Sequence, residues 1–182
     1  MIIETKRLAM RELTMDDRPF IVSLLNQSSF LQFIGDKGVR NLEDARNYLN
    51  NGPIASYQKY GFGLWLVVDR VSNERLGMCG LLKRDTLEHP DLGYAFLESA
   101  WGKGYALEAA KASLTYGFKN LNIPMIVAIT QPDNEASIRV LERCGMSFEK
   151  TIPPQPGDVA LSLYVMNNPG NCAPDHGPQA SP

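Results

Sequence analysis

The sequence predicts one α+β domain, an α/β sandwich in which a mixed sheet of about seven strands is flanked by about four helices. Two kinds of segment support this fold class. Short apolar runs such as residues 64–68 are typical of strands. Phe20, Leu24 and Leu25 recur at the spacing of one helix face. The chain of 182 residues is long enough to bury one sizeable core.

The first part of the chain is predicted to hold one strand and two helices. Residues 6–13 are expected to form the strand, and Thr14 can cap the helix that follows. Residues 29–40 contain two glycines and are expected to form a loop. A second helix is predicted over residues 42–57, with a break near Pro53, because proline lacks the N–H that a helix interior needs.

The rest of the domain is predicted to be strands joined by turns, with two further helices. The strands are expected at residues 64–68, 76–82, 91–98, 125–130, 147–151 and 158–166. The third helix is expected over 104–118 and the fourth over 134–143, where Gly145 ends it in a left-handed cap. The domain therefore spans residues 1–167. Residues 168–182 are rich in Gly, Pro and Asn and predict a flexible tail.

Composition excludes several function classes. The formal net charge is −2 and basic residues are scattered, so no nucleic-acid groove is expected. The apolar runs are too short for a membrane helix and the start lacks a secretory signal, so no membrane association is expected. Cys79, Cys144 and Cys172 are odd in number and widely spaced, which favours a reducing, cytoplasmic location. With only two histidines, no metal site is expected.

The most informative segment is a glycine-bearing turn between a strand and the third helix, and it reads Trp101-Gly102-Lys103-Gly104-Tyr105-Ala106. A helix start exposes unpaired backbone N–H groups and carries positive character from the macrodipole. Glycine lets that backbone approach a phosphate closely, so the segment predicts a pyrophosphate site. It is not a P-loop, because glycine follows the lysine, nor a full dinucleotide fingerprint, because Leu107 replaces the third glycine. An ordinary helix-capping turn is the alternative.

Three segments together resemble the GNAT superfamily of acyl-CoA-dependent N-acetyltransferases. Its acetyl-CoA loop reads Gln/Arg-x-x-Gly-x-Gly/Ala, which this chain matches from Lys103 to Ala106 and leaves unmatched at Trp101. The longer segment from Gly93 to Ala109 is similar to the Rim-type branch of this superfamily, which includes ribosomal-protein N-terminal acetyltransferases. The segments at 3–17 and 134–146 are also similar to that branch.

This resemblance implies a mostly antiparallel sheet with splayed central strands and acetyl-CoA as cosubstrate. Backbone groups of the strand at 91–98 would hold the pantetheine arm, and the amides of the turn at 101–106 would bind the pyrophosphate. The fourth helix would contact further parts of the coenzyme. The implied cofactor-binding residues are Phe96, Leu97, Trp101, Gly102, Lys103, Gly104, Tyr105, Ala106, Asn134, Ser137 and Arg143.

Three of these residues have alternative roles. Lys103 either meets a phosphate oxygen or is a solvated lysine. Trp101 lacks the amide or guanidinium of the usual motif but keeps its backbone N–H for a contact, and it is otherwise a core or surface aromatic. Asn134 either contacts the pantetheine, as the resemblance implies, or caps the fourth helix.

Acetyl transfer to an amine benefits from a base for the amine and an acid for the leaving thiolate. Many family members place a tyrosine acid in the fourth helix, where this chain has Leu141. Glu98 and Tyr94, expected on one strand face with Phe96, are the candidate catalytic residues. Glu98 is otherwise a solvated strand end and Tyr94 a packing residue.

The acceptor is predicted to be a primary amine, either a protein N-terminal α-amine or a small-molecule amine. The loop at 30–38, which contains Asp36, and the turn at 153–157 would flank its entrance. Two other function classes stay open, namely a CoA-binding sensor with little activity and a transferase with a cysteine acyl-enzyme. The protein is expected to be a monomer or a homodimer.

Overall fold

The computed structural model describes residues 1–171, which form one eight-stranded sheet with helices on both faces. Across the sheet the strands, numbered along the chain, follow the order β1-β2-β3-β4-β5-β6-β8-β7. Neighbouring strands are antiparallel except for β5 and β6, which are parallel. The strands are β1 (Ile3–Glu4), β2 (Leu8–Glu12), β3 (Leu64–Asp69), β4 (Arg75–Leu82), β5 (Asp91–Phe96), β6 (Met125–Thr130), β7 (Ser147–Ile152) and β8 (Leu161–Asn167).

Six α-helices occur within residues 1–171, and the longest follows β5. They are α1 (Arg18–Leu25), α2 (Ser28–Phe33), α3 (Leu42–Leu49), α4 (Ala55–Tyr60), α5 (Tyr105–Lys119) and α6 (Glu135–Arg143). A π-helical turn at Asn50–Ile54 contains Pro53 and joins α3 to α4. The predicted second helix and its interruption are thus confirmed, because the wider turn accommodates a residue that cannot donate a hydrogen bond.

The sheet separates two apolar layers. On one face α5 and α6 pack over buried side chains such as Trp65 and Leu81. On the other face α1, α2 and α3 cover a second cluster that includes Leu24 and Leu66. The mixed α/β architecture with a mostly antiparallel sheet is the predicted fold class. The eighth strand is β1, which has two residues and extends the sheet beside β2.

The predicted splay of the central strands is present. β5 and β6 pair at a single position, Asp91 with Val127, and the Val127 amide donates to the Pro90 carbonyl at 3.0 Å. Beyond this pair the two parallel strands diverge toward their carboxyl ends. A gap therefore opens in the middle of the sheet, and its edges carry backbone N–H and C=O groups that no neighbouring strand pairs.

Two boundaries differ from the prediction. The predicted loop at 29–40 is wrong in its first part, because α2 forms there; Phe30 is 3% exposed and this burial favours a helical turn over an open loop. β5 ends at Phe96, and Glu98 lies in a short 3₁₀ turn, Glu98–Ala100, so Glu98 does not share a strand face with Tyr94.

A buried carboxylate joins the first strands to α1. Asp17 is fully buried and accepts hydrogen bonds from Arg11 at 2.8 and 3.0 Å, from Arg75 at 2.9 Å and from the Thr14 amide at 2.9 Å. Burial acts to raise its pKa, but these bonds outweigh burial and lower the pKa to about 2. Asp17 is therefore ionised and paired at neutral pH.

The described residues also bear on the membrane, metal and tail predictions. Within residues 1–171, no helix is long and apolar enough to cross a bilayer, and no group of three or more side chains is arranged to ligate a metal ion. Of the predicted tail, Pro169–Asn171 forms a short 3₁₀ turn, and Asn168 donates to the carbonyls of Phe118 and Ile123. The tail beyond residue 171 lies outside the described residues.

Candidate active site

The turn before α5 has the backbone geometry that its glycines predict. Gly102 has a φ of +74° and Gly104 a φ of +77°, a left-handed region that favours glycine. Gly104 is the residue that precedes α5, and the first intrahelical bond runs from the Glu108 amide to its carbonyl at 3.1 Å. The amides of residues 105–107 are therefore unpaired within the helix. Together with the exposed turn, they offer unpaired backbone donors suited to an anion.

A side-chain cluster braces this turn from the N-terminal strands. Glu108 accepts from the Thr5 hydroxyl at 2.6 Å and from Arg7, through its amide at 3.0 Å and Nε at 2.6 Å. Arg7 Nη1 also donates to the Lys103 carbonyl at 2.7 Å, and its guanidinium lies 4.7 Å from the centre of the Tyr105 ring. Burial acts to raise the pKa of Glu108, but the bonds from Thr5 and Arg7 lower it. The cluster binds a turn carbonyl and leaves the amides free.

Lys103 and Trp101 fold back onto the end of β5. Lys103 Nζ donates to the Ser99 carbonyl at 3.0 Å and remains exposed. The Trp101 amide donates to the Glu98 carbonyl at 3.2 Å, so the expectation that this N–H is free for the coenzyme is wrong. The indole Nε1 donates to the Phe96 carbonyl at 3.1 Å while the ring is 53% exposed. Trp101 thus closes the turn at the strand end.

The backbone of β5 presents different groups to its two neighbours. The Leu97 amide donates to the Leu76 carbonyl at 2.8 Å, and its carbonyl accepts from Ala100 at 2.8 Å. Both backbone groups of Leu97 are therefore engaged. Because alternate residues of an antiparallel strand face opposite neighbours, the Phe96 N–H faces the gap. On the other edge the same alternation from Val127 directs the backbone groups of Ile129 into the gap.

Tyr94 reaches from β5 to α6. Its hydroxyl lies 2.8 Å from Ser137 Oγ and 3.2 Å from the Ser137 carbonyl oxygen, which can only accept. Burial raises the pKa of Tyr94, so the phenol keeps its proton at neutral pH. Asn134 Oδ1 accepts from the Ser137 amide at 3.2 Å, which is the helix-cap geometry. Asn134 still has an Nδ2 group that makes no hydrogen bond to residues 1–171.

Glu98 lies in the 3₁₀ turn after β5, next to α2, rather than beside Tyr94. Its Oε1 accepts from Ser29 Oγ at 2.9 Å, from the Ser29 amide at 3.4 Å and from Ser28 Oγ at 3.3 Å. The bonds from Ser29 and Ser28 lower the pKa of this exposed carboxyl group. Asp36 pairs with Arg40 at 2.5 Å, so its charge is neutralised within its own loop. Arg143 is exposed at the last residue of α6.

Comparison with known proteins identifies the family. The model of the acetyltransferase (GNAT) domain matches residues 7–147 of the chain. The chain belongs to the GNAT acetyltransferases. An uncharacterized N-acetyltransferase of Bacillus subtilis, YnaD, is 33% identical over 157 residues, which cover 84% of this chain and 89% of the relative.

Solved GNAT structures share the fold over nearly the whole chain. A GNAT acetyltransferase from Bacillus anthracis superposes with a TM-score of 0.77 at 28% identity, covering 92% of this chain and 99% of that one. RimL, a ribosomal L7/L12 α-N-protein acetyltransferase solved with coenzyme A, superposes with a TM-score of 0.79 at 21% identity, covering 91% and 97%. The family match and the relatives from Bacillus support acetyl transfer as the family activity, whereas the likeness to RimL shows the fold alone.

Sequence reasoning missed the side chains that join distant segments of this GNAT domain. Gln27 Oε1 accepts from the Glu98 amide at 2.8 Å, and Gln131 Nε2 donates to the carbonyls of Gln32 and Phe33 at 3.3 Å each. No periodicity or motif marks these glutamines, because their partners are 71, 99 and 98 residues away. Arg7 and Glu108 did lie within the resembling segments, but nothing in the sequence indicated that they touch.

The two described cysteines do not resemble activated nucleophiles. Cys79 is fully buried with its sulfur 3.4 Å from Ser113 Oγ, and burial raises its pKa to about 12. Cys144 is buried at the end of α6, and burial raises its pKa to about 11. Both groups are thiols at neutral pH, whereas a cysteine nucleophile requires the thiolate.

Proposed function

We propose that the protein transfers an acetyl group from acetyl-CoA to a primary amine, which attacks the thioester directly in a ternary complex. The observation that carries the proposal is the alignment of two features along β5. The strand borders a gap with unpaired backbone groups, and its end leads through the 3₁₀ turn Glu98–Ala100 into the left-handed glycine turn before α5. A pantetheine arm needs the first feature and a pyrophosphate the second.

The residues present fit the coenzyme. The free amides of residues 102–107 would bind the diphosphate, and the exposed Lys103 ammonium lies beside them. The Phe96 N–H and the backbone of Ile129 would hold the arm as an additional strand. Asn134 can use Nδ2 for the arm while its Oδ1 caps α6. Leu97 would act through its position in the strand, since its own backbone groups are engaged.

The chemistry requires one proton to leave the amine nitrogen, which passes to solvent, and one to reach the sulfur, whose donor then regains its proton from solvent. The neutral amine forms the new C–N bond as the C–S bond breaks, and the thiolate leaves with the bonding pair. We propose Tyr94 as the donor to that thiolate, because it lies on the strand that borders the gap and its phenol is protonated at neutral pH; the raised pKa makes it a weaker acid than an ordinary tyrosine. The same shift makes Tyr94 unsuited to act as the base, so we assign it the acid role. Proximity within the gap supplies further rate.

The acceptor is proposed to be a protein N-terminal α-amine or a small-molecule amine. Solved relatives with this fold include RimL, named for the α-amine of a ribosomal protein, and a spermidine N-acetyltransferase chimera. Both are under 25% identical to this chain, so they justify the range of amines to be tested rather than a choice between them.

A thiol-release assay tests the proposal. Acetyl-CoA is incubated with peptides of varied N-terminal residue and with polyamines, and mass spectrometry locates the added acetyl group. We expect release of CoA with one amine class and a product heavier by one acetyl group. Acetyl-CoA binding by calorimetry without turnover of any amine would instead indicate a sensor. A covalently acetylated enzyme that loses the label in a cysteine variant would indicate an acyl-enzyme.

A further inference from the structure

Helix α2 lies across the carboxyl ends of the two diverging strands and is tied to both. On the β5 side, Glu98 accepts from Ser29 Oγ at 2.9 Å, and Gln27 accepts from the Glu98 amide at 2.8 Å. On the β6 side, Gln131 follows the last strand residue, Thr130, and donates to carbonyls at the end of α2. The helix therefore spans the mouth of the gap.

These polar ties matter because α2 has little else to hold it. It has six residues, and a helix of this length is not stable alone in water. Its one buried side chain is Phe30 at 3% exposure, while Leu31 and Ile34 beside it are 37% and 45% exposed. With one aromatic anchor, the position of the segment depends largely on the hydrogen bonds at both ends.

Glu98 has the contacts of a tether. Three donors from Ser28 and Ser29 converge on one carboxylate oxygen, Oε1. No Lys, Arg or His lies within ion-pair distance of it in residues 1–171. Hydrogen bonds to an ionised acceptor are stronger than neutral ones, so this carboxylate can hold α2 without a counter-ion.

We propose that Glu98 and Gln131 are positioning residues that hold α2 across the gap and thereby fix the path by which the amine reaches the thioester. This inference rests on the proposed function, because it takes the gap as the acetyl-CoA site. It replaces a base role for Glu98, which the strand-face argument had suggested. The acceptor amine then approaches along α2, and the position of α2 is set by the hydrogen bonds of Glu98 at the end of β5 and of Gln131 at the end of β6.

Kinetics of two Glu98 variants separate a tether from a base. Glu98→Gln keeps an oxygen that can accept from Ser28 and Ser29 but removes the basic carboxylate. We expect it to retain kcat and its pH profile. Glu98→Ala and Gln131→Ala should each raise KM for the amine about tenfold with KM for acetyl-CoA unchanged, which corresponds to loss of one good hydrogen bond. A fall in kcat of about 100-fold in Glu98→Gln indicates a base and overturns the proposal.

Hydrogen exchange on the full chain without ligand tests the tethers independently of activity. Amides of residues 27–35, including the Leu31 amide that bonds to the Gln27 carbonyl, should exchange about tenfold faster in Glu98→Ala and Gln131→Ala. Glu98→Gln should exchange at a rate between those of the parent protein and Glu98→Ala, because its neutral oxygen still accepts from Ser28 and Ser29 but more weakly than a carboxylate. Gln58→Ala, at an exposed position of α4, is the matched control and should change nothing in this segment.

The two measurements distinguish failure of this inference from failure of the proposed function. Unchanged exchange at 27–35 in both alanine variants overturns the tethers, whatever the enzyme acetylates. Faster exchange with no turnover of any amine supports the tethers as contacts of α2 but removes their role in acceptor approach, and so overturns the positioning proposal together with the proposed function. Faster exchange with a raised amine KM supports both.

Discussion

The two sides of the candidate site, the turn before α5 and helix α2, are built differently. The turn depends on backbone geometry, with left-handed φ at Gly102 and Gly104 and the unpaired amides of a helix start. α2 depends on side chains that reach it from Glu98 and Gln131. Even their glutamates differ, since Glu108 pairs with Arg7 whereas Glu98 is held by serines alone. Under the proposed function, the turn would be the coenzyme side, fixed by backbone geometry, and α2 would be the acceptor side, whose side-chain contacts can change without changing the fold.

The largest expected effect is on the coenzyme side. Gly104→Glu should abolish acetyl-CoA binding, at least about a 100-fold loss of affinity by calorimetry, because a carboxylate would stand in phosphate space. Gly61 is the control for backbone strain, since it also has a left-handed φ, +74°, at the end of α4; it has open space around it, whereas a Cβ at Gly104 would lie 3.4 Å from Arg7 Nη2. Gly61→Glu carries the same backbone strain and should bind normally. Unchanged affinity in Gly104→Glu would refute the pyrophosphate assignment.

The next largest expected effect is on kcat, at Tyr94 beside the gap between β5 and β6. Tyr94→Phe should lower kcat about 100-fold while substrate KM values change little, because only the proton donor is removed. The raised pKa of Tyr94 also means that kcat should show no alkaline loss from this group at or below the ordinary tyrosine pKa. Tyr116→Phe, whose ring packs against Trp65 in the same layer, is the control. Equal kcat in the two variants would remove Tyr94 from the chemistry.

A smaller effect is expected on stability alone. It tests whether the ion pairs of Asp17 stabilise the fold without affecting the glycine turn or α2. Asp17→Asn should lower the free energy of unfolding at neutral pH by roughly 2 to 3 kcal/mol, since it removes the charge that pairs Arg11 and Arg75. Because the native pKa is lowered to about 2, the stabilisation is complete above the ordinary aspartate pKa and is lost as pH falls toward 2.

Urea unfolding at several pH values checks this prediction, with Asp16→Asn at the exposed neighbouring position as the control. The difference between parent and Asp17→Asn should shrink with acidification. A difference that stays constant down to the lowest pH would show that the asparagine disturbs packing rather than an ion pair. Acetyl-CoA affinity should be unchanged in the folded variant.

The smallest expected effect sharpens the coenzyme side. Glu108→Ala should raise KM for acetyl-CoA about fivefold, because the partly exposed pair with Arg7 that orders the turn is lost. Glu149→Ala on the outer strand β7 should leave KM unchanged. A lower KM in Glu108→Ala would mean that the freed Arg7 turns to the phosphates, and the brace would then be a restraint on binding rather than an aid.

The sequence predicted the backbone features of the turn before α5 better than the side-chain contacts that hold α2. The glycine turn, the α5 start and the cap at Asn134 are local features, so their residues carried the signal themselves. The helical part of 28–33 was missed because one buried aromatic, Phe30, decides it and no periodicity marks so short a helix. Glu98 was placed on the strand face because alternation continued past Phe96, where the chain turns into a 3₁₀ segment. Contacts across 70 or more residues, such as that of Gln27 with Glu98, had no local trace.

The sheet consists of a five-stranded and a three-stranded part, which meet at the single residue pair between β5 and β6 and are also linked through helices such as α5 and α2. Such a sheet is mechanically weakest along its own centre line. An extended ligand lying there would pair with the unpaired backbone N–H and C=O groups of both strands and so connect the two parts of the sheet. Bound acetyl-CoA would then stabilise the domain as well as serve as its cosubstrate. Its departure as free CoA would weaken the contact between the two parts of the sheet when the product must leave.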